Sequence, residues 1–254
     1  MKNRYFSTTI VLVILSAILI TSCKKFKYDQ PACNIIAEDL VTSGGTITTN
    51  NNVIYNNDGT VSYKLSDGLL KTIHYPGDIT IMGGTGDIWY RRVFSLNEAG
   101  MLTNERTDYT ADGLDWAEMS FEYQNSIQLV RSISSTPHQF PAEYKYIWSG
   151  GNLQSSVYQG PGEFTNVFDY FMNKPSAPGD YFTHQNITLG QGFRIFVSKN
   201  LPKSLQSYSN LTSFTYQHDN KGKIISLTFN NNNNDPSSMV NYHYLCNNSS
   251  DYSK

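Results

Sequence analysis

Residues 143–158 read EYKYIWSGGNLQSSVY, and this stretch decides the fold. Aromatic and aliphatic side chains alternate with polar ones on both sides of a Gly-Gly-Asn turn, a pattern typical of an antiparallel hairpin. Glycine suits such a turn because it reaches positive φ without a steric cost. The stretch therefore predicts two paired strands joined by a tight turn.

The same plan recurs along the chain. It appears in residues 61–75, 89–109, 119–133 and 213–229, and a last alternating strand covers residues 240–246. One of these repeats, residues 119–133, has no glycine at its turn. Repeats spaced by roughly 25 to 35 residues indicate consecutive hairpins. We therefore predict an all-β fold: a long antiparallel meander that forms an open or curled sheet.

Residues 160–210 interrupt this pattern. Apolar side chains there recur at i, i+3, i+4 and i+7, which is the spacing of one helix face. A proline follows, and proline disfavours helix at the residue before it. We predict one short inserted helix at residues 164–172 and a soft boundary near residue 160. The residues that carry this prediction are Phe164, Val167, Phe168, Phe171 and Pro175.

The N-terminus resembles a bacterial lipoprotein leader. A basic start precedes an apolar run over residues 10–20, which is shorter than the roughly 20 residues of a membrane span. Residues 20–23, Ile-Thr-Ser-Cys, resemble the lipobox that prolipoprotein-processing enzymes read. That resemblance implies a signal peptide at residues 1–22 and lipidation of Cys23. The alternative is a leader followed by an incidental cysteine.

Residues 23–33 then form a short basic tether. Its lysines would lie close to anionic lipid headgroups, which attract them. Position 24 is lysine and not the aspartate associated with inner-membrane retention, so we expect the outer membrane. Which side of that membrane the protein faces stays open. We expect residues 34–246 to form a single β domain and residues 247–254 a C-terminal tail.

Two cysteines remain besides Cys23. Cys33 and Cys246 flank the predicted domain, and an exported protein meets an oxidising compartment where disulfides persist. A bridge between them would clamp the first ordered segment to the last strand. Two buried free thiols are the alternative. The spacing contains no Cys-x-x-Cys, so neither a redox motif nor a thiolate zinc site is indicated.

Composition excludes several classes of function. The formal net charge is −2 and charged residues make up 16% of the chain, so no nucleic-acid partner is indicated. The five histidines are scattered without metal-ligand spacing, and no catalytic or phosphate-binding motif occurs. The densest carboxylates are Asp112, Asp115 and Glu118, which fit a turn and a solvated strand edge better than a glycosidase pair. We expect no metal, no cofactor and no enzymatic activity.

Aromatic residues reach 13% of the chain. Trp89, Trp116 and Trp148 could present a stacking surface for the rings of a glycan. The alternative is that they form core and cross-strand pairs, since tryptophan and tyrosine are enriched in strands.

The order of several motifs resembles a known family. A Tyr-x-Trp…Gly-Asn-Leu unit occupies residues 146–153, a Lys-Asn-Leu-Pro-Lys-Ser turn residues 199–204, and a Tyr…Asp-x-x-Gly-Lys-Ile unit residues 216–224. Together with the lipobox, they resemble the Bacteroidetes lipoproteins of the DUF4595 group, whose hairpins are similar to YD/RHS repeats. The resemblance implies a β-hairpin fold and an envelope location, and it carries no established activity.

We therefore expect a membrane-anchored cell-envelope lipoprotein that acts as a non-catalytic β scaffold for binding or display. The alternative is a glycan-binding module for polysaccharide capture, and a glycan hydrolase is the third hypothesis. A glycan or an envelope protein would be the partner besides the membrane. The sequence does not indicate an oligomeric state.

Overall fold

A computed structural model of the protein describes residues 33–42, 44–50, 53–55, 60–64, 70–74, 78–85, 88–232 and 238–246. Between residues 54 and 90 it describes the backbone of these segments and not their side chains. The predicted leader, Cys23 and the predicted tail lie outside the described residues. The described residues belong to one compact unit.

Strands dominate this unit, and one helix interrupts them. The elements are β1 (Cys33–Thr42), β2 (Gly45–Asn50), β3 (Val53–Tyr55), β4 (Thr60–Lys64), β5 (Leu70–His74), β6 (Asp78–Thr85), β7 (Ile88–Leu96), β8 (Leu102–Asp108), β9 (Trp116–Gln124), β10 (Gln128–Thr136), β11 (Gln139–Ser149), β12 (Asn152–Gln159), β13 (Phe164–Pro175), α1 (Tyr181–Thr188), β14 (Asn200–Ser207), β15 (Asn210–His218), β16 (Ile224–Asn231) and β17 (Ser238–Cys246).

Fourteen of the described strands form one open antiparallel sheet. From β6 to β17 each strand pairs with the next, and β1 then pairs with β17 and carries β2 at its other side. The prediction of an all-β antiparallel meander is confirmed. The predicted hairpin at residues 61–75 forms, but it lies in a separate sheet of β3, β4 and β5 and not in the meander.

The hairpin without a glycine closes with two other residues in the left-handed region. Asn125 and Ser126 have φ of 52° and 63° between β9 and β10. Asparagine tolerates this conformation better than most residues. The side-chain amide of Asn97 also donates a hydrogen bond to the carbonyl of Ser126, at 2.8 Å. The turn therefore forms where the repeat lacks its glycine.

The predicted helix at residues 164–172 is wrong. These residues belong to β13, and α1 lies further along the chain at Tyr181–Thr188. Residues 164, 166, 168 and 170 also alternate, and Phe168 and Tyr170 of this set are buried. Pairing with β12 on one side and β14 on the other satisfies the backbone of a strand here. Among the described residues no helix is long and apolar enough to cross a membrane.

Residues 176–199 form the true interruption, and they cover one face of the sheet, which we call the inner face. Nδ1 of His184 lies 3.0 Å from Oε1 of Glu38 in β1, while the carbonyl of Arg194 accepts from the amide of Leu102 in β8, at 2.8 Å. These two strands are ten positions apart in the sheet order. A flat sheet would separate them by about 48 Å. Residues 184–188 lie in α1, so the stretch from His184 to Arg194 spans at most about 28 Å even if its remaining residues are extended. The sheet therefore curves around the insertion.

The core fills this curved inner face. Phe193 of the insertion contacts Phe94 of β7 with ring centroids 4.8 Å apart, and Tyr181 of α1 stacks on Phe214 of β15 at 4.6 Å. Strands far apart in the sheet thus bury their apolar side chains against one short segment. The opposite, outer face of the sheet carries the alternate residues of each strand.

Candidate functional site

Four aromatic rings contact one another on the inner face of the sheet. Tyr144 of β11, Tyr158 of β12, Phe164 of β13 and Tyr208 of the β14–β15 turn form this aromatic cluster. Ring centroids lie 5.1 Å apart between Tyr144 and Tyr158, 5.2 Å between Tyr158 and Phe164, and 5.4 Å between Phe164 and Tyr208. The first three residues are direct cross-strand partners, so their side chains share one face.

The aromatic cluster is open to solvent at one end. Tyr208 is 66% exposed and its three partners are half-buried. Its hydroxyl donates to the carbonyl of Gly162, at 3.0 Å, which holds the ring against Phe164. Gly160 leaves room for Tyr158, because a Cβ at that position would lie 2.5 Å from the phenol oxygen. Burial, and secondarily the nearby Tyr158, raises the pKa of the Tyr144 phenol, which therefore stays neutral.

Polar side chains separate the aromatic cluster from the core. The hydroxyls of Ser132 and Tyr146 share a hydrogen bond of 2.9 Å, and the amide of Asn166 donates to Ser156, at 3.1 Å. Burial raises the pKa of Tyr146 to about 12. The four side chains that lie here carry no formal charge, and both serines are buried.

The tryptophans predicted to stack on a glycan are not brought together. Trp148 packs against the core and donates its indole N–H to the carbonyl of Leu129, at 2.6 Å. Trp116 lies on the outer face, where the guanidinium of Arg106 sits 4.7 Å from the ring centroid. The side chain of Trp89 lies outside the described residues. The two described tryptophans point to opposite faces and cannot form one surface.

A cleft of about 500 Å³ opens on the outer face, opposite the core, and we call it the outer-face cleft. Outward side chains of β7 and β8 form its floor, and residues 110–113 form its rim. Glu105 of β8 lies opposite Met119, which packs against the core, so Glu105 points inward. Side chains alternate along a strand, so its neighbours Asn104 and Arg106 point outward. The lining residues are Arg91, Val93, Asn104, Arg106, Asp108, Thr110, Ala111, Asp112 and Gly113.

Arg106 contacts three neighbouring side chains on the floor of the cleft. Its Nε donates to Oδ1 of Asp108 at 2.8 Å, and its Nη1 lies 3.6 Å from Oε2 of Glu118. The ring of Trp116 supports the guanidinium from one side. The amide of Asn104 donates to the other oxygen of Glu118, at 2.7 Å. These contacts fix the direction of the remaining guanidinium N–H groups.

Two of the carboxylates that the sequence singled out, Asp112 and Glu118, are engaged by neighbouring groups. Asp112 accepts hydrogen bonds from the Thr110 hydroxyl, at 2.7 Å, and from the Leu114 amide, at 3.1 Å. The hydroxyl contact contributes most to lowering the pKa of Asp112. A glycosidase general acid needs a raised pKa instead. Asp112 therefore closes a turn, and Glu118 forms the ion pair with Arg106.

Cys33 and Cys246 form a disulfide. The two residues are direct partners at the ends of β1 and β17, so the bridge extends the pairing of the first and last strands of the described residues. Within the described part of the chain, no group of three or more histidine, cysteine, aspartate or glutamate side chains could hold a metal ion.

No family model and no curated protein matches the chain. The fold is similar to that of a porin-like protein from Bacteroides uniformis, with a TM-score of 0.52 and 16% sequence identity, covering 83% of this chain and 98% of that one. A porin-like protein from Bacteroides vulgatus matches with a TM-score of 0.49 and 13% identity, with 83% and 98% coverage. At these identities the comparison concerns the fold alone.

Proposed function

We propose that this protein is a lipid-anchored, non-catalytic component of the bacterial outer membrane, and that its β domain is a scaffold for binding. The aromatic cluster is the observation that carries binding, because it is a partly exposed surface of four rings with neutral polar neighbours. The lipobox-like residues 20–23 support the anchor. The porin-like description of a solved protein with a similar fold supports an envelope location.

The anchor is tested by labelling growing cells with radioactive palmitate. The wild-type protein should incorporate label and sediment with membranes, because two or three acyl chains give long-lived residence. Cys23→Ser should lose both properties, whereas the double variant Cys33→Ser/Cys246→Ser should keep the label. An unlabelled wild-type protein would contradict lipid anchoring.

The specific ligand favoured by the aromatic cluster is a neutral glycan. Tyrosine rings offer an apolar face for the C–H groups of a sugar and a phenol for its hydroxyls. The half-buried Asn166 lies on the same face, and the cluster itself carries no formal charge. This supports polysaccharide capture as the narrower function of the scaffold.

Calorimetric titration with neutral polysaccharides tests this ligand. Tyr208→Ala should weaken binding by about tenfold or more, since one lost stacking contact of 1.4 kcal/mol corresponds to about tenfold in Kd. Tyr208→Phe should retain much of the affinity because the ring stays. Phe140→Ala is the matched control, since Phe140 is 95% exposed on β11 and lies outside the cluster. Equal affinities for Tyr208→Ala and wild type would rule out the cluster as the site.

A further inference from the structure

The outer-face cleft is separate from the aromatic cluster, because the two lie on opposite faces of the sheet. Its volume of about 500 Å³ falls within the range of small-molecule sites. The side chains on its floor come from neighbouring strands, so the backbone pairing of β7 and β8 holds them in place. A ligand there would meet a preformed surface.

Two cations and two carboxylates line the outer-face cleft, and one of the two cations forms no direct ion pair with a residue that the structure describes. Asp108 compensates Arg106 through the 2.8 Å contact, and the Asp112 carboxylate accepts two hydrogen bonds within its own turn. Arg91 is exposed, lines the cleft, and makes no ion pair with any residue that the structure describes. It lies directly opposite Asp108 in the β7–β8 register, one strand away from the fixed guanidinium of Arg106. A ligand carboxylate would supply the direct ion pair that Arg91 lacks among the described residues.

Asn104 and Arg106 add further hydrogen-bonding groups to the cleft beside Arg91. The amide nitrogen of Asn104 is used by Glu118, which leaves its carbonyl oxygen as an acceptor. Arg106 uses Nε for Asp108, which leaves N–H donors on its terminal nitrogens. Hydroxyl groups both donate and accept, so a ligand rich in hydroxyls can satisfy donors and acceptors together. A simple inorganic anion would use only the donors.

We propose that the outer-face cleft binds an acidic sugar, with the carboxylate of the sugar on Arg91 and its hydroxyls on Asn104 and Arg106. A guanidinium group matches a carboxylate through two parallel N–H donors, which gives both affinity and orientation. The proposal does not depend on glycan capture at the aromatic cluster, since the two sites share no residue.

Calorimetric titration of the purified protein with sodium glucuronate, glucose and inorganic phosphate tests the proposal. Glucuronate should bind, and glucose and phosphate should each bind about tenfold more weakly or not at all. Glucose has no carboxylate for Arg91, and phosphate has no sugar hydroxyls for Asn104 and Arg106. Affinity for glucuronate should fall as salt rises, since an exposed ion pair is screened.

Variants of Arg91 locate the site. Arg91→Gln should weaken glucuronate binding by about tenfold or more, and Arg91→Lys should restore part of it, because lysine keeps the charge and loses the paired donors. Lys145→Gln is the control: Lys145 is an exposed cation of β11 that does not line the cleft. The proposal is overturned if glucuronate does not bind, if phosphate or glucose binds equally well, or if Arg91→Gln binds like the wild type.

Discussion

Gly179 is a residue whose conformation and surroundings both exclude a side chain. Its φ is 93°, a region that favours glycine. A Cβ there would lie 2.9 Å from the Tyr244 hydroxyl oxygen and 3.0 Å from the carbonyl oxygen of Ile224. The residue therefore lets the segment before α1 lie directly against β16 and β17.

Gly179→Ala should lower the free energy of unfolding by about 2 to 4 kcal/mol, through left-handed strain and through crowding. Gly113→Ala is the matched control: its φ is 69°, but nothing lies within 4 Å of the added Cβ. It should cost only about 1 kcal/mol. Urea unfolding followed by tryptophan fluorescence measures both changes. Equal losses would show that crowding at Gly179 contributes nothing.

Trp116 and Trp148 show that residue type alone does not predict which side chains share a surface. Both were candidates for one stacking surface, yet one supports Arg106 on the outer face and the other packs into the core. The rings that do contact one another are those of three tyrosines and a phenylalanine.

The pairing of Tyr144 with Tyr158 depends on a bulge. Counting residues outward from the Gly150–Gly151 turn would pair Tyr144 with Val157, but a bulge between Ile147 and Trp148 shifts the register. Tyr158 faces Tyr144 because of that shift.

At the scale of elements, α1 begins at a buried cap. Asp180 accepts a hydrogen bond from the amide of Thr183 at 2.9 Å, and the Ser176 hydroxyl donates to its other oxygen. Burial nevertheless raises the pKa of Asp180 above its usual value of 3.8, and these hydrogen bonds only partly oppose the change. The cap therefore has a dependence on pH that a neutral amide would not have.

Asp180→Asn keeps an oxygen that can cap the helix but removes the ionisation. A carboxyl with a raised pKa contributes stability below its unfolded value of 3.8, and that contribution is lost as pH rises through the folded value. The free energy of unfolding of the variant minus that of the wild type should therefore increase from pH 3.5 upward and then level off. Urea midpoints across this range measure the difference. A constant or decreasing difference would contradict the raised pKa.

The position of the helix shows where local patterns conflict. Residues 164–171 fit both a helical period and a strand alternation, and short apolar runs do not distinguish the two. The helix that forms has only eight residues, so its intrinsic stability is small. Packing of Tyr181, Phe182 and Ile187 against the curved sheet stabilises it. The sequence contained the Asp180 cap, but it did not show what the helix would pack on.

At the scale of the whole molecule, the pairing of β1 with β17 joins the two ends of the described chain. Cys33 and Cys246 lie 213 residues apart in sequence and form a bridge at the end of this pair. Closing so long a loop is costly in chain entropy, and a covalent link removes that cost from folding. The disulfide therefore stabilises a contact that hairpin pairing alone does not provide.

Cys33→Ser/Cys246→Ser should lower the free energy of unfolding by about 3 to 5 kcal/mol, chiefly because the unfolded chain gains freedom. Urea unfolding with and without dithiothreitol measures the effect. The reductant should destabilise the wild type by a similar amount and leave the double variant unchanged. If the wild type is insensitive to full reduction, the bridge does not contribute to stability.

The sequence by itself determined the β class and the hairpins, because turn residues and alternation act between neighbours along the chain. It also indicated the cysteine pair and the lipobox, the latter outside the described residues. Only the tertiary structure decided the pairing of β1 with β17, the curvature around the insertion, and which aromatic rings meet. Those features depend on contacts between residues far apart in sequence. Which side chains of a strand become buried depends on the distant strand or helix that packs against it, and a local pattern carries no information about that partner.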